Sequence, residues 1–392
     1  MHAANLIGQL RSLHPGLEAV GYGGPRMRQS GCRLHADLTE LAVMWFLRVL
    51  VNLDKFWDLA CRADRYFRHQ RPDAVVLVDY PGFNWWIARR AKAHRIPVFY
   101  YVPPQIWGWA RWRVGKMRRL VDHVLAGLPF EHRWLEAHGC RSVLVGHPFF
   151  DQLDQQRLDR DFLASCRRRP GPLVTILPGS RTQEVKANIG VMLGAARRIA
   201  SRVREVRFAA AALKPHQAAL VRRQAAAAGL PLEVHVGRTP ELIHLAQCCL
   251  AVSGSVSLEL LYHTKPTVVL YQISPAGYFV QRFFRKSKYI TLVNLLAESD
   301  PLAEPVRPFD QRHDEAAQAL FPEYLTAGDC SEQIAQHLVR WLADPLERQG
   351  RVARLTELKA RVARPGASAR AARYILERLA EGTTCPLTSR AA

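Results

Sequence analysis

The stretch LAVSGSVSLELLYHTKPTVVLY, residues 250–271, has the pattern of one strand–loop–helix–strand unit of a parallel sheet. An apolar run ends in a Ser-Gly-Ser loop, a helical pattern that carries Glu259 follows, and a second apolar run begins after Pro266. Apolar runs that alternate with helices indicate parallel strands covered on both faces. Small hydroxyl residues around a glycine at a strand-to-helix junction predict that a ligand approaches the backbone closely there.

The same alternation of strands and helices extends over most of the chain. Polar and charged residues fill 151–171 without a strand signal, so we place an inter-domain connection there, and 329–382 is helical by pattern. The sequence therefore predicts an α/β protein with two parallel-sheet domains. The predicted strands are 17–22, 73–80, 96–102, 122–128 and 141–147 in the first half and 172–180, 206–212, 232–237, 248–254 and 267–271 in the second.

Composition limits the partners and the compartment. The 392 residues include 55 Lys and Arg against 34 Asp and Glu, and this net charge of +21 indicates an anionic partner such as nucleic acid, an anionic membrane or a phosphorylated substrate. The eight cysteines form no CxxC pair, which favours a reducing cytoplasmic compartment. No apolar run reaches the ~18 residues that a membrane-spanning helix needs, so we expect any membrane contact to be peripheral.

The loop in ILPGSRTQEV, residues 176–185, is a candidate anion site. Ligands of open α/β sheets bind beyond the carboxyl ends of the strands, and this loop follows a predicted strand. Gly179 and Ser180 lead into a helix that begins near Arg181. Backbone N–H groups at a helix N-terminus, together with a guanidinium group, suit a diphosphate.

The second loop in the same domain has a complementary chemistry. Ser253, Gly254 and Ser255 lead into a helix that carries Glu259, whose carboxylate could accept hydrogen bonds from a ribose diol. Either loop taken alone is equally typical of ordinary helix capping by Ser or Thr. Two such loops in one domain favour a nucleotide diphosphate, and the absence of a GxxxxGKS/T motif argues against a P-loop NTPase.

The first half contains further candidates. Asp79 follows a predicted strand and precedes a Pro-Gly turn, a position that suits a general base toward a hydroxyl but equally a turn cap. His147 follows the last strand of the first domain, where a nucleotide-sugar would lie, although a lone histidine is more often structural. The aromatic and basic segment 100–119 could clamp a sugar and an anionic group, or simply pack with a solvated basic face.

Two segments combine apolar and basic residues. The segment GYFVQRFFRKSKYI, residues 277–290, mixes aromatic side chains with Arg and Lys, and residues 41–57 are unusually apolar for a half-exposed helix. Core packing explains either segment alone. Together with the net charge of +21, the two segments also fit a surface that docks on anionic lipid.

Taken together, these motifs resemble the lipid-A-disaccharide synthase family, B-type glycosyltransferases of glycosyltransferase family 19 with two Rossmann-like domains. The resemblance runs in the family's order over nearly the whole chain. The matching stretches are GYGGPRM (21–27), ELAVM (40–44), VDYPGFN (78–84), PQIWGW (104–109), LPFE (128–131), VGHPF (145–149), LPGSRTQEV (177–185), SGSVSLE (253–259) and KYITLVNLLA (288–297).

The resemblance implies a reaction and its partners. UDP-2,3-diacylglucosamine would donate its sugar to the 6-hydroxyl of 2,3-diacylglucosamine 1-phosphate, which gives a β-1,6 disaccharide and UDP with inversion. It also implies peripheral attachment to the cytoplasmic face of the inner membrane, an apolar surface for acyl chains for which 41–57 is the candidate, and no metal or other cofactor. A homodimer is left open, and nucleic acid is not expected as a partner.

The resemblance also assigns roles to residues. Asp79 corresponds to the family's essential acid and candidate base, Arg181 to the arginine that handles the diphosphate, and Asn294 to an active-site asparagine. In this assignment Asp79, Arg181 and Asn294 are the catalytic residues. The residues expected to bind the nucleotide-sugar are His147, Gly179, Ser180, Arg181, Ser253, Gly254, Ser255 and Glu259.

The same resemblance predicts the domain boundaries and shows one difference between this chain and the family. We expect an N-terminal Rossmann-like acceptor and lipid domain at 1–160, a UDP-sugar domain at 161–345 and a helical segment at 346–392. Family members begin with a strand and a GExSGD-like loop with a functional Glu, whereas this chain opens on a helix, so that strand and loop are expected to be missing. The loss of an interior strand predicts an open sheet edge.

Three alternatives stay open at this point. A degenerate relative would bind UDP-sugar without transferase activity, and the missing Glu argues for it. A nucleic-acid-binding protein fits the charge, but no zinc-finger spacing, RNP-like motif or basic tail supports it. A soluble relative that acts on nucleotide-sugars without acyl chains is the remaining enzymatic alternative.

Overall fold

The computed structural model describes residues 1–38, 53–309 and 319–383 and divides the chain into two compact units. The first unit comprises Met1–Gln152 and Arg364–Ala392, and the second comprises Leu153–Ala363. The predicted third segment, 346–392, is thus shared between the units. The helix that ends at Val362 belongs to the second unit, and the last helix belongs to the first.

The first unit contains two parallel sheets. The four-stranded sheet has the order β3-β4-β5-β6, and β1 pairs with β2 in a separate two-stranded sheet. In the part of the chain that the structure describes, the two sheets share no backbone pairing. The strands are β1 (Ala19–Gly23), β2 (Cys32–Asp37), β3 (Val75–Val78), β4 (Val98–Tyr101), β5 (His123–Ala126) and β6 (Ser142–Leu144).

Helices pack against the four-stranded sheet. The core on one face joins α1 and the last described helix, α18 (Ala367–Thr383), to strands β4 and β5. Leu6, Phe99, Leu125 and Ile375 in this core are all almost fully buried. The helices of this unit are α1 (His2–Leu13), α2 (Pro25–Gln29), α3 (Leu53–Gln70), α4 (Pro81–Ala93), α5 (Ile106–Trp109), α6 (Val114–Leu120) and α7 (Pro129–Ala137), with a 3-10 turn at Arg111–Arg113.

The second unit contains one six-stranded parallel sheet in the order β9-β8-β7-β10-β11-β12. This is the strand order of a Rossmann fold, in which the direction of winding reverses between β7 and β10. At this switch point Leu177 of β7 lies opposite Ala251 of β10. The strands are β7 (Leu173–Leu177), β8 (Arg207–Ala212), β9 (Glu233–Val236), β10 (Cys248–Val252), β11 (Thr267–Gln272) and β12 (Glu323–Thr326).

The helices connect these strands and complete the chain. Helix α8 (Phe149–Asp154) spans the boundary between the units, and α18 (Ala367–Thr383) returns to the first. The remaining helices are α9 (Arg160–Arg167), α10 (Thr182–Ala200), α11 (Pro215–Ala227), α12 (Thr239–Leu245), α13 (Val256–Tyr262), α14 (Pro275–Phe284), α15 (Leu292–Ala297), α16 (Ser331–Ala343) and α17 (Pro345–Val362).

The predicted α/β architecture is confirmed. Each predicted strand is present, and β2 and β12 are additional strands that the pattern did not indicate. None of the described helices is long and apolar enough to cross a membrane. Most of the apolar segment 41–57 lies outside the described residues, so its role as an acyl-chain surface stays a prediction.

Asp151 fixes the return of α18 to the first unit. Its Oδ1 accepts the backbone N–H groups of Gly366 and Ala367 at 2.7 and 2.9 Å, and its Oδ2 accepts that of Ser368 at 2.8 Å. The carboxylate is buried. Three N–H groups at the start of α18 would otherwise lack an intrahelical partner, so this one side chain satisfies most of the helix N-terminus.

We expect the substitution Asp151→Ala to lower the free energy required for local opening of α18 by about 2 kcal/mol, because a buried cap is lost. Hydrogen exchange of the α18 amides measures this change. The control is Asp344→Ala, which removes an exposed cap that accepts the N–H groups of Leu346 and Glu347 at the start of α17. Exchange in α18 as slow as in the wild type would contradict the assigned role of Asp151.

Candidate active site

Of the seven described non-glycine residues with positive φ, three lie at the carboxyl edge of the four-stranded sheet. Asp79 and Tyr80, directly after β3, have φ angles of 46° and 45°, and Val102, directly after β4, has φ 50°. Left-handed backbone costs a non-glycine residue roughly 1–3 kcal/mol and is least favourable for a β-branched one. Ligands of parallel sheets bind beyond the carboxyl ends of the strands, and three adjacent strained residues lie there, so this edge is the candidate site of the first unit.

Two side chains hold the strained turn in place. The Tyr100 hydroxyl donates to the carbonyl oxygen of Asp79 at 2.8 Å, and the Asn84 amide donates to the same oxygen and to the carbonyl of Val78. Pro81 then begins α4 with a φ already suited to a helix. The backbone of Asp79 is therefore fixed while its side chain remains exposed, as a general base toward a ligand hydroxyl requires.

His147 lies at the same edge, after β6. Burial, with a smaller contribution from His2, lowers the pKa of His147 to about 4, although Asp151 opposes the shift. The imidazole is thus neutral at physiological pH, and its Nδ1 accepts the N–H of Phe149 at 3.2 Å. Its Nε2 then carries the hydrogen and can donate without charge. Gly127 packs on the ring, where a Cβ would lie 3.3 Å from the imidazole.

In the second unit, the loop after β7 carries an exposed guanidinium, and a carboxylate accepts two of the loop's N–H groups. Gly179 has φ 122°, and a Cβ there would lie 2.7 Å from the Glu184 side chain, so the turn requires glycine. The Glu184 carboxylate accepts the N–H groups of Ser180 and Arg181, each at 3.1 Å, and pairs with the Arg181 guanidinium at 2.9 Å. The Arg181 side chain is 80% exposed. An exposed ion pair contributes little, so Arg181 can turn to an incoming phosphate at small cost.

The side chain of Gln217 connects the loop after β7 to the loop after β8. The Gln217 amide donates to the carbonyl of Ser180 at 3.0 Å, and its oxygen accepts the N–H groups of Leu213 and Lys214. Gln217 was not among the predicted residues. Its signal was available, since Gln217 is the third residue of α11, where a polar side chain reaches back to the chain before the helix.

The loop after β10 is open at its glycine. A Cβ at Gly254 would meet no heavy atom within 4 Å, so the backbone there can be approached closely. The Ser253 hydroxyl donates to the carbonyl of Ile290 at 3.0 Å, and the Ser257 hydroxyl donates to that of Gly254 at 2.8 Å. Ser255 precedes α13 and is exposed. Because β7 and β10 are paired, this loop and the 178–181 loop leave neighbouring strands at one edge.

Glu259 lies in the first turn of α13 and is buried. Burial raises its pKa to about 7, and the nearby Glu241 carboxylate adds to the shift, although a hydrogen bond with Gln156 opposes it. Its Oε1 has no hydrogen-bond partner among the residues that the structure describes. A buried oxygen without a partner is costly, so a ligand hydroxyl that donates to it would be bound favourably.

Asn294 is placed differently from the other candidates. Its side chain is buried, its amide donates to the carbonyl of Phe321 and to Glu323, and its oxygen accepts the N–H of Phe321, all at 2.8–2.9 Å. The Glu323 carboxylate also accepts the N–H groups of Ile290 and Thr291. The network holds the segment to which Ser253 bonds. Glu323 was not among the predicted residues, although a lone acid in the apolar run FPEYL was its signal.

The two units therefore offer different chemistry. The first presents an exposed carboxylate, Asp79, and a neutral donor, His147, at one sheet edge. The second presents a loop with the exposed guanidinium of Arg181 and a buried carboxylate, Glu259, at its switch point. The described residues contain no group of three or more His, Cys, Asp and Glu side chains that could hold a metal ion.

Comparison with known proteins identifies the family. The model of the lipid-A-disaccharide synthetase family matches residues 1–349. The lipid-A-disaccharide synthase of Anaeromyxobacter dehalogenans strain 2CP-1 is 33% identical over 377 residues, which cover 96% of this chain and 94% of that protein. Among solved structures, the Staphylococcus aureus MnaA–UDP co-structure matches with a TM-score of 0.61 and 12% identity over 98% of this chain and 96% of that one. The Neisseria meningitidis UDP-GlcNAc 2-epimerase bound to UDP-GlcNAc matches with a TM-score of 0.58 and 12% identity over 96% and 95%.

We expect Tyr100→Phe to lower the kcat of sugar transfer about tenfold, because one hydrogen bond that holds Asp79 is worth about 1–1.5 kcal/mol. The control is Tyr101→Phe. Tyr101 is the next residue of the same strand and equally buried, but its hydroxyl bonds Ser368 instead. That variant should lose stability and keep kcat. An unchanged kcat in Tyr100→Phe, or an equal loss in both variants, would contradict the role of Tyr100.

Proposed function

Since the chain belongs to the lipid-A-disaccharide synthetase family and is a glycosyltransferase, we propose that it joins two acylated sugars. The donor is UDP-2,3-diacylglucosamine, the acceptor is 2,3-diacylglucosamine 1-phosphate, and the products are the β-1,6 disaccharide and UDP. The observation that carries the proposal is the pair of loops at the switch point, one for an anion and one with a buried carboxylate. The alternative of a binder without transferase activity gains nothing from the comparisons.

The second unit binds the donor. The N–H groups at the start of α10 and the Arg181 guanidinium contact the diphosphate and offset the negative charge that grows on it as it leaves. The Glu259 carboxylate accepts the ribose hydroxyls. Support comes from the fold, because solved proteins of the same fold carry UDP and UDP-GlcNAc.

The first unit acts on the acceptor. The acceptor 6-hydroxyl oxygen attacks the donor's anomeric carbon from the face opposite UDP, the bond from that carbon to the phosphate oxygen breaks, and its electron pair leaves with UDP. The Asp79 carboxylate takes the hydroxyl proton. One displacement inverts the anomeric carbon and gives the β linkage. His147 donates a neutral hydrogen bond at the same edge, and Asn294 acts by holding the segment next to Ser253.

We expect Arg181→Gln to lower the rate of disaccharide formation about a hundredfold, because a charge-assisted contact to the leaving diphosphate is lost. The control is Arg197→Gln, which removes the same charge from an exposed position in the last turn of the same helix. Product formation from both substrates in detergent micelles is the readout. Equal rates in the two variants would show that Arg181 acts through net charge alone.

The affinity for UDP-GlcNAc should rise with pH if Glu259 accepts the ribose hydroxyls. Its pKa of about 7 leaves the side chain largely protonated at pH 6 and ionised at pH 8, so Kd falls about tenfold over this range. Titration calorimetry measures the change, and the diester diphosphate of this ligand does not ionise there. In Glu259→Gln the pH dependence of Kd should disappear. In Glu241→Gln it should move to lower pH, because the nearby carboxylate that raises the pKa of Glu259 is removed. A flat wild-type profile would exclude this role for Glu259.

The enzyme docks on the cytoplasmic face of an anionic membrane through α14, since both substrates carry acyl chains. Phe279 is 63% exposed, Val280 and Phe284 are also exposed, and the exposed Lys286 lies two residues after the end of the helix. A short helix with exposed aromatic side chains and adjacent cations is typical of a surface that enters the headgroup region. The net charge of +21 adds attraction to anionic lipid.

We expect the double variant Phe279→Ser and Phe284→Ser to lower partitioning onto phosphatidylglycerol vesicles at least about tenfold, because two apolar contacts with lipid are lost. Vesicle sedimentation measures the bound fraction. The control is Leu346→Ser, which removes an apolar side chain that is more exposed than either phenylalanine, at 79%, at the start of α17. The docking surface would be elsewhere if the double variant bound like the wild type.

A further inference from the structure

An arginine lies over the rings of two exposed tryptophans after β4. The guanidinium carbon of Arg113 lies 4.8 Å from the ring centroid of Trp109 and 5.7 Å from that of Trp112, and the two rings meet edge to face at 6.4 Å. Trp109 is 47% exposed and Trp112 is 66% exposed. Cation–π contacts of this kind orient the guanidinium but leave its N–H groups available.

The packing of this loop does not require the exposed tryptophans, because Trp107 already makes the loop's packing contacts. Trp107 is buried, its indole N–H donates to Glu131 at 3.0 Å, and its ring packs edge to face on Phe130. The Glu131 carboxylate also accepts the N–H of Gly127, so the loop after β4 is fixed to the loop after β5. Trp109 and Trp112 contribute little to this packing, and two large aromatic side chains kept at the surface favour a binding role.

The residues around the cluster are positively charged, which favours an anionic ligand. The segment 103–121 contains no Asp or Glu, and its cations are Arg111, Arg113, Lys116, Arg118 and Arg119. The ion pairs between described residues do not include Arg113. A planar guanidinium with free N–H groups is the side chain that binds a phosphate in bidentate fashion.

The cluster leaves the sheet at the same edge as Asp79. Strands β3 and β4 pair with Val78 opposite Tyr101, and the Tyr100 hydroxyl bonds the Asp79 carbonyl, so the two loops start side by side. In the proposed acceptor, C1 carries the phosphate and C5 carries the CH₂OH group with the 6-hydroxyl, and these two carbons flank the ring oxygen, so one ligand presents an anion and a reacting hydroxyl at separate positions. A base and a separate anion site on one edge are therefore what this acceptor requires.

We propose that Arg113, oriented by Trp109 and Trp112, binds the phosphate of the acylated sugar 1-phosphate acceptor. The inference rests on the proposed function and extends it to the recognition of one end of the acceptor. Arg113 is a specificity residue, since an acceptor without the phosphate gains nothing from it. The two rings supply an apolar surface beside the phosphate that suits an acylated sugar.

The chain contains a matched control. Arg90 lies 5.1 Å from the ring centroid of Trp57, which meets Trp86 edge to face at 5.3 Å, and both rings are exposed. This second cluster has the same composition, but Arg90 is in the last turn of α4, at the opposite end of the helix that Asp79 precedes. If the positive charge acts only through attraction to a lipid surface, substitution of either arginine should have the same effect. If Arg113 recognises the acceptor phosphate, only its substitution should have an effect.

The test measures disaccharide formation in uncharged detergent micelles with two acceptors, the sugar 1-phosphate and its dephosphorylated form. We expect Arg113→Gln to raise KM for the phosphorylated acceptor about tenfold, as the loss of one charge-assisted contact predicts, and to leave KM for the other acceptor within about twofold. Arg113→Lys should give an intermediate KM, and Arg90→Gln should change neither value by more than about twofold.

Three outcomes overturn the inference while leaving the proposed function intact. They are no change in Arg113→Gln, an equal change for both acceptors, and an equal change in Arg90→Gln. If the wild type forms no disaccharide from either acceptor, the proposed function fails by itself. Equilibrium binding of the two acceptor lipids then decides the inference, which requires that Arg113→Gln weaken binding of the phosphorylated lipid alone.

Discussion

The second unit depends on one constraint, the reversal of winding between β7 and β10. The two strands pair directly, yet the chain continues from β7 to β8 on one side and from β10 to β11 on the other. Right-handed crossovers send the following helices to opposite faces, so α10 packs on α11 and α16 while α13 packs on α15 and α17. The loops before these helices diverge from a common edge, and a nucleotide diphosphate can contact both.

Three carboxylates, Glu131, Glu259 and Asp79, differ in burial and in hydrogen-bond partners. Burial raises the pKa of Glu131 to about 7, but its oxygens are occupied by Trp107 and the Gly127 N–H, so its role is to fix a loop. Glu259 has a similar pKa with one oxygen left without a partner among the described residues, so it is available to a ligand. Asp79 is exposed on a strained backbone that its neighbours hold. In the proposed function, the carboxylate group therefore serves packing, binding or catalysis according to its surroundings.

Elements that depend on local pattern could be predicted from the sequence, whereas partners chosen across long separations could not. Runs of Val, Ile and Leu gave the central strands, and the loops at 178–181 and 253–255 followed from the residues between strand and helix. The strand β2 was missed because only Cys32 in it is buried. The return of α18 was missed because its cap, Asp151, lies 215 residues before Gly366. Glu323 was missed because its partners in the 290–294 segment become visible only in the folded chain.

In the proposed mechanism one unit binds the nucleotide and the other activates the acceptor, so the most direct test is whether a single substitution separates the two activities. Asp79→Asn keeps the shape of the side chain and removes the base. We expect disaccharide formation to fall about a thousandfold, as for loss of a general base, while the Kd for UDP-GlcNAc and the melting temperature stay at wild-type values. Transfer at the wild-type rate would contradict this mechanism, and so would a parallel loss of nucleotide affinity.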